Sequence, residues 1–95
     1  MSDGFDTQVR DIEIVNKKGL HARASARFVQ CAERFDAEVT VSKDTTTVGG
    51  TSIMGLMMLT AGMGSTIRIT ARGRDADAAL AALTELITSR FGEGE

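Results

Sequence analysis

Polar and apolar residues alternate along three short stretches of the chain, with the period of two that is typical of a half-buried β-strand. These stretches are residues 10–14, 37–42 and 66–72. A fourth stretch, residues 45–48, is β-branched throughout and follows Lys43 and Asp44, where a tight turn is expected. The pattern therefore predicts four strands, and the second and third of them form a hairpin.

Two longer stretches repeat their apolar residues every three or four positions, which is the period of an amphipathic helix. The first repeat consists of Leu20, Ala24, Phe28, Val29, Ala32 and Phe35, and the second of Ala79, Leu80, Leu83, Leu86, Ile87 and Phe91. Asp75 stands where it can cap the second of these helices. A short apolar run, residues 53–62, follows Ser52 and predicts one more helix with this serine as its N-cap.

The predicted elements follow one another in the order β-α-β-β-α-β-α. Because the strands alternate, only one face of the sheet is apolar, and the amphipathic helices are suited to cover it. We therefore predict an α+β fold, an open-faced β-sandwich with three helices on one face of a four-stranded antiparallel sheet. The 95 residues fit a single domain. The polar ends, residues 1–7 and 92–95, are expected to be disordered.

Composition narrows the expected partners and compartment. Basic and acidic residues are interspersed at a net charge of −2, so no nucleic-acid surface is expected. No apolar run is long enough to span a membrane and the N-terminal segment does not resemble a signal peptide, so we expect a cytoplasmic protein. We also expect a monomer. The single cysteine, Cys31, offers neither a disulfide nor metal-ligand spacing. We expect Cys31 to be a small buried side chain and expect no bound metal.

The chemistry of the chain centres on its one histidine, His21, where a loop passes into the first predicted helix. The first turn of a helix offers unpaired N–H groups and the positive end of the helix dipole, which together stabilise a phosphate. Arg23 can add a charge-assisted hydrogen bond. These positive surroundings favour a neutral imidazole that can accept a phosphoryl group. The residues alone also permit a histidine that only caps the helix or faces solvent.

Two segments carry a resemblance to a known family. GLHARASARFV, residues 19–29, resembles the active-site segment of the HPr phosphocarriers of the bacterial sugar phosphotransferase system, whose pattern is Gly-Leu-His-Ala-Arg-Pro. TSIMGLMML, residues 51–59, resembles the Lys-Ser-Ile-Met-Gly segment around the regulatory serine of that family. The separation of the segments and the order of the predicted elements agree with this resemblance, which covers residues 8–91.

The resemblance implies roles for three residues. His21 matches the histidine that is phosphorylated on Nδ1, Arg23 matches the arginine that attends the phosphate, and Ser52 matches the serine that a dedicated kinase modifies in some bacteria. The sequence departs from the family pattern at Ala24, where proline is common, and at Thr51, where lysine is usual. Alanine is the best helix former, so we expect little effect of the first departure. The second departure, Thr51 in place of lysine, bears on whether a kinase recognises Ser52.

The short helix after Ser52 is apolar nearly all round, whereas a helix beside a single sheet buries only one side. If Leu56 and Leu59 face the core, three apolar side chains lie together on the outer side. These are Ile53, Met54 and Met57, and in the family this helix and the first one form the face that partners contact, which Ala22, Ala26 and Arg27 would complete here. Flexible methionines suit a surface that binds several partners. The alternative is a fully buried helix.

The resemblance implies a relay in which enzyme I phosphorylates His21 and His21 phosphorylates an acceptor of the enzyme IIA type. Such a protein is a carrier and not a turnover enzyme, needs no cofactor, and has an HPr kinase/phosphorylase as a further partner. One alternative is a carrier of the nitrogen-related regulatory branch, with the same histidine and different partners. Another is a regulatory binding module controlled at Ser52, against which the presence of His21 argues. A small ligand-binding domain would need a pocket, and no convergent polar set is evident.

Overall fold

The computed structural model describes residues 7–93 as a four-stranded sheet, three α-helices and a terminal 3-10 turn. The strands are β1 (Thr7–Glu13), β2 (Glu38–Lys43), β3 (Thr46–Gly49) and β4 (Thr66–Arg72). The helices are α1 (Ala22–Ala32), α2 (Ile53–Met58) and α3 (Ala76–Thr88), and the 3-10 turn is Arg90–Gly92. The observed order of strands and helices is the one that the sequence pattern predicts.

The strands lie in the order β1-β4-β2-β3, and every neighbouring pair is antiparallel. In the centre of the sheet, Ile69 of β4 lies between Arg10 of β1 and Val41 of β2. The predicted α+β open-faced sandwich is therefore confirmed. Several boundaries differ from the prediction: β1 spans Thr7–Glu13 instead of residues 10–14, and α2 ends at Met58 instead of residue 62. The hairpin turn falls at Asp44 and Thr45, because β2 continues through Lys43 and Asp44 takes a left-handed conformation with φ 55°.

The alternating residues divide between the two faces of the sheet as predicted. On β4, Ile67, Ile69 and Ala71 are fully buried beneath the helices, while Thr66 and Arg68 are exposed. From the helices, Phe28, Leu56, Leu83 and Ile87 are among the largest fully buried side chains of the core. This single-sided core leaves the opposite face of the sheet polar, with Arg68 and Asp11 joined there by an ion pair at 2.8 Å.

Two predictions about the last helix are wrong. Asp75 does occupy the N-cap position of α3, but it makes no side-chain cap bond. Its carboxylate instead accepts a hydrogen bond from the N–H of Asp36 at 2.8 Å and so ties the start of α3 to the segment before β2. Phe91 does not continue the helix, because α3 ends at Thr88 and Phe91 adopts a left-handed φ of 54°. It is nevertheless fully buried in the core.

The structure also differs from the expectation of disorder at three terminal positions. Thr7 pairs with Arg72 at the end of β1, and Gly92 and Glu93 follow directly from the buried Phe91. Pairing and burial supply the contacts that the polar composition of these residues does not reveal. The remaining predicted disorder, at residues 1–6 and 94–95, lies outside the described residues.

Candidate functional site

His21 is the N-cap residue of α1, one position before the helix begins. Its backbone is extended, with φ −74° and ψ −178°, and its carbonyl oxygen accepts the first helical hydrogen bond from Ser25 N–H at 2.9 Å. The ring itself acts as the cap, because Nδ1 accepts a hydrogen bond from the backbone N–H of Arg23 at 3.3 Å. One ring nitrogen is therefore turned toward the helix terminus. The side chain is 27 % exposed, so solvent can still reach the imidazole.

The loop before the helix is fastened to the segment that follows α2. Leu20 N–H donates to the carbonyl of Ala61 at 2.9 Å, and the buried hydroxyl of Ser25 donates to the carbonyl of Leu20 at 3.1 Å. Gly19 takes a left-handed φ of 65°, and a Cβ there would lie 2.4 Å from the oxygen of Ala61. Only glycine fits this position without distortion, and the close approach fixes where His21 enters α1.

The other ring nitrogen of His21 meets a carboxylate. Nε2 lies 2.5 Å from Oε2 of Glu93, a residue 72 positions away in the chain. The second oxygen of Glu93 accepts a hydrogen bond at 3.2 Å from the side-chain amide of Asn16, which is fully buried and also donates to the carbonyl of Gly19 at 2.9 Å. The sequence analysis missed both Asn16, taken only as part of a loop, and Glu93, placed in a disordered tail.

The carboxylate of Glu93 is held in its charged form. Burial alone would raise its pKa, but hydrogen bonds from His21 and Asn16, with electrostatic attraction from His21 and Lys18, lower the pKa below the ordinary value. The sequence analysis had placed only positive groups around the imidazole. Glu93 acts in the opposite sense, because a carboxylate beside the ring favours a proton on the nitrogen that faces it.

Three basic side chains lie close to Glu93. Lys18, Arg23 and Arg27 line a cleft together with Gly92 and Glu93. The guanidinium of Arg27 donates a hydrogen bond to the carbonyl of Phe91, so this arginine, predicted to contact partners, also holds the terminal turn. Arg23 is exposed at the start of α1. Its predicted contact with a bound phosphate stays a prediction.

Ser52 begins α2 as predicted from the sequence. Its hydroxyl accepts a hydrogen bond from Gly55 N–H at 2.9 Å, and the residue is exposed. Leu56 and Leu59 are buried, whereas Ile53, Met54 and Met57 are 41, 70 and 40 % exposed. The outer apolar face of the helix therefore exists, and the alternative of a fully buried helix is wrong.

The outer face of α2 is larger than the sequence analysis expected. Met58 is 71 % exposed and stands four residues after Met54, on the same side of the helix. On α1, Ala22 is exposed, and Ala26 is partly exposed. A docking role for Ala22, Ala26, Arg27, Ile53, Met54 and Met57 stays a prediction.

Among the described residues, neither the cysteine nor a cluster of metal ligands provides a second site. Cys31 is buried, and burial raises the pKa of its thiol while Arg34 opposes the shift. Residues 7–93 contain no cluster of side chains that could hold a metal ion. Within the same range no helix combines the length and the apolar character that crossing a membrane requires.

Known proteins are similar to this chain in both sequence and fold. The family model described as the PTS HPr component phosphorylation site matches residues 8–89. The phosphocarrier protein HPr of Neisseria meningitidis is 54 % identical over 86 residues, covering 90 % of this chain and 97 % of that protein. The phosphocarrier protein NPr of Shewanella violacea is 44 % identical over 84 residues, covering 88 % and 92 % of the two chains.

A solved structure extends the similarity to three dimensions. The crystal structure of HPr-C-His from Thermoanaerobacter tengcongensis superimposes with a TM-score of 0.87 at 45 % sequence identity. The match covers 90 % of this chain and 97 % of that one. The similarity therefore includes the sheet, the helices and the segment that carries His21.

Proposed function

Because the chain belongs to the HPr family of phosphocarrier proteins of the phosphotransferase system, we propose that enzyme I phosphorylates it on Nδ1 of His21. The phosphoryl group then passes to an acceptor of the enzyme IIA type. One observation carries this proposal: His21 caps α1, with Nδ1 directed at the Arg23 N–H. A nucleophilic nitrogen thus stands at the positive end of a helix, where a phosphate is stabilised.

The geometry suits transfer in both directions. In the forward step the lone pair of Nδ1 forms a bond to phosphorus, and the bond from phosphorus to the donor breaks with its electron pair left on the donor. The N–H of Arg23 loses Nδ1 as acceptor at that moment and is placed to donate to a phosphoryl oxygen instead. Lys18, Arg23 and Arg27 add positive charge beside the transferred group. The reverse step returns the electron pair to Nδ1.

In this role the protein is a stoichiometric carrier and not a turnover enzyme, because it ends each transfer phosphorylated or dephosphorylated and needs a second protein to complete the cycle. It acts as a monomer in the cytoplasm and requires no cofactor. The partly exposed imidazole supports this role, since donor and acceptor must reach the same nitrogen in turn.

The test is incubation with enzyme I and phosphoenolpyruvate. We expect one phosphate per chain, labile in acid and stable in base, as befits a phosphoramidate bond. The control is His21→Ala, which removes the acceptor at a helix start that is not part of the core and so leaves the fold intact. Phosphorylation of the control at the normal rate, or no phosphate on the wild type, would refute the proposal.

A second candidate function is supported by the similarity to the NPr of Shewanella violacea. In that case the same histidine would serve the nitrogen-related regulatory branch, with different donor and acceptor proteins. Comparison of the initial rates with the enzyme I proteins of the two branches distinguishes them. Faster acceptance from the nitrogen-related enzyme I would favour the second candidate.

Ser52 supports a further, regulatory part of the proposal. Its hydroxyl is exposed and lies at the start of α2, next to the apolar side chains of Ile53 and Met54. Phosphorylation by an HPr kinase/phosphorylase would place about two negative charges beside this surface. A regulatory module that transfers no phosphate is the remaining alternative, and the enzyme I assay excludes it if His21 accepts phosphate.

A further inference from the structure

Glu93 meets the edge of the His21 ring that faces away from the start of α1. Its Oε2 lies 2.5 Å from Nε2, and its side chain is only 10 % exposed. The family resemblance of the sequence gave this residue no role. Because a histidine ring has two nitrogens of similar nucleophilicity, a group that occupies one of them influences which nitrogen reacts.

The two contacts of the ring select the same tautomer. Nδ1 faces a donor, the N–H of Arg23, and so presents its lone pair. Nε2 faces an ionised carboxylate, which only accepts hydrogen bonds, and so must carry the ring proton. We propose that Glu93 is a positioning residue that makes phosphorylation of His21 specific for Nδ1, by engaging Nε2–H and leaving Nδ1 as the nitrogen with an available lone pair. This inference rests on the function proposed above.

The protein holds Glu93 in place by contacts from three directions. Asn16 donates to its other oxygen from a fully buried position, so the carboxylate is held in orientation as well as in place. Phe91, two residues earlier, is fully buried and anchors the turn, and Arg27 donates to the carbonyl of Phe91. Gly92 takes a left-handed φ of 75°, and a Cβ there would lie 3.0 Å from the guanidinium of Arg27. This turn directs Glu93 back to the ring.

The carboxylate also has a role in the transfer step. When Nδ1 forms its bond to phosphorus, Nε2 keeps its proton, and the ring takes on the positive charge of an imidazolium. Glu93 lies beside that charge from the outset, so no group has to move to stabilise it. Return of the phosphoryl group to an acceptor restores the neutral ring with the proton still on Nε2.

The decisive experiment uses phosphoramidate, a small chemical donor that phosphorylates imidazole without enzyme I. Nuclear magnetic resonance of the product then distinguishes phosphate on Nδ1 from phosphate on Nε2. We expect wild type to react at Nδ1, and Glu93→Ala to raise the share of the Nε2 product by at least about tenfold. Glu93→Gln should restore only part of the specificity for Nδ1, because its one amide oxygen can still accept from Nε2–H but its NH2 group then faces the donating amide of Asn16. Glu33→Ala, an exposed glutamate at the other end of α1, is the matched control.

Each outcome decides the inference. A product that stays on Nδ1 in Glu93→Ala would overturn it, as would an Nε2 product from wild type. In the unphosphorylated protein, the Nε2–H proton should give a downfield, slowly exchanging signal that Glu93→Ala loses and Glu93→Gln keeps. Absence of that signal from wild type would also overturn the inference. Neither readout uses enzyme I, so failure of the proposed phosphocarrier function would be recognised separately.

Discussion

Arg23 contributes two groups to the site that mutation can separate. Its backbone N–H donates to Nδ1 of His21 and survives any substitution except proline, while its side chain is exposed at the start of α1. Arg23→Ala should therefore leave thermal stability nearly unchanged and slow phosphoryl acceptance about tenfold or more, which is ~1.4 kcal/mol at the transition state. Stopped-flow kinetics with enzyme I measure the rate, and Arg34→Ala at the far end of α1 is the control. Equal rates for Arg23→Ala and wild type would show that the guanidinium has no part in transfer.

The carboxyl group of Glu93 leads to a prediction about how the stability of the protein depends on pH. Hydrogen bonds from His21 and Asn16 outweigh burial and lower the pKa of its carboxyl below 4.5. Since the folded pKa lies below the unfolded one, the contact stabilises the protein above pH 4.5 and loses that effect as pH falls through the folded value.

Carbon-13 resonance of the Glu93 carboxyl measures this titration directly. We expect a midpoint below 4.5 in wild type and a higher midpoint in His21→Ala, which removes a hydrogen-bond donor. A wild-type midpoint at or above 4.5 would contradict the contact seen in the structure.

At the scale of the elements, the junction between β1 and α1 depends on Gly19. Any side chain here meets both a left-handed backbone, which costs about 1–3 kcal/mol, and the oxygen of Ala61 at 2.4 Å from the Cβ. Gly19→Ala should therefore lower the free energy of unfolding by that amount or more and slow phosphorylation, because His21 is displaced. Gly62→Ala is the matched control, since a Cβ at Gly62 meets no atom within 4 Å. Urea unfolding compares the two, and equal stability of both variants would refute the argument.

The exposed outer face of α2 leads to a second prediction at the scale of the elements. Met54 is 70 % exposed, so Met54→Glu should weaken binding to enzyme I while changing the melting temperature little. Val9→Glu supplies the control, because Val9 is 54 % exposed on β1 and lies three residues from the buried Ile12, on the other face of the sheet. Isothermal titration calorimetry measures binding. A large loss of stability with unchanged affinity would mean that Met54 belongs to the core.

The elements also show how far the sequence could predict the structure. Strand β4 and helix α1 were predictable, because each repeats its apolar residues with the period of its own backbone, and Ser52 was predictable as a cap because its partner, Gly55, is three residues away. Asp75 resembled a cap equally well, but its carboxylate accepts from Asp36, across 39 residues. Local patterns carry no information about such a choice between near and distant partners.

The same distinction applies to the candidate site. His21 and Arg23 stand two residues apart and share a motif, so the sequence identified both. Glu93 lies 72 residues from His21 and 77 from Asn16, and only the folded chain brings the three together. Its one sequence signal is a carboxylate two residues after Phe91, and that signal is common in polar tails.

At the scale of the whole molecule, the ring of His21 lies beside the segment that directly follows α2. Leu20, immediately before His21, is bonded to Ala61, shortly after α2, and Lys18, His21 and Thr60 line the same shallow depression. A protein that docks over the ring would therefore also cover part of α2. Changes at Ser52, on the opposite end of this helix, can then affect transfer without touching His21.

Ser52→Asp tests that coupling. Aspartate is as good an N-cap as serine, so we expect stability at least equal to wild type. Its charge would have to be desolvated when enzyme I covers Ile53 and Met54, so phosphoryl acceptance should fall about tenfold or more. Ser52→Ala is the control: it loses the bond to Gly55 and about 1 kcal/mol of stability, but should accept phosphate at the normal rate. Equal stopped-flow rates for Ser52→Asp and wild type would leave Ser52 as a structural cap only.

The left-handed turn at Arg90, Phe91 and Gly92 has a consequence for how this protein can be handled in the laboratory. Because the turn brings Glu93 back to the imidazole of His21, a bulky group attached close to Glu93 would lie near that ring. Thr7, by contrast, opens β1, a strand of seven residues and about 23 Å that separates it from the loop before His21. Surface immobilisation and fluorophore attachment should therefore avoid this turn and use the region of Thr7, so that a blocked histidine is not mistaken for an inactive carrier.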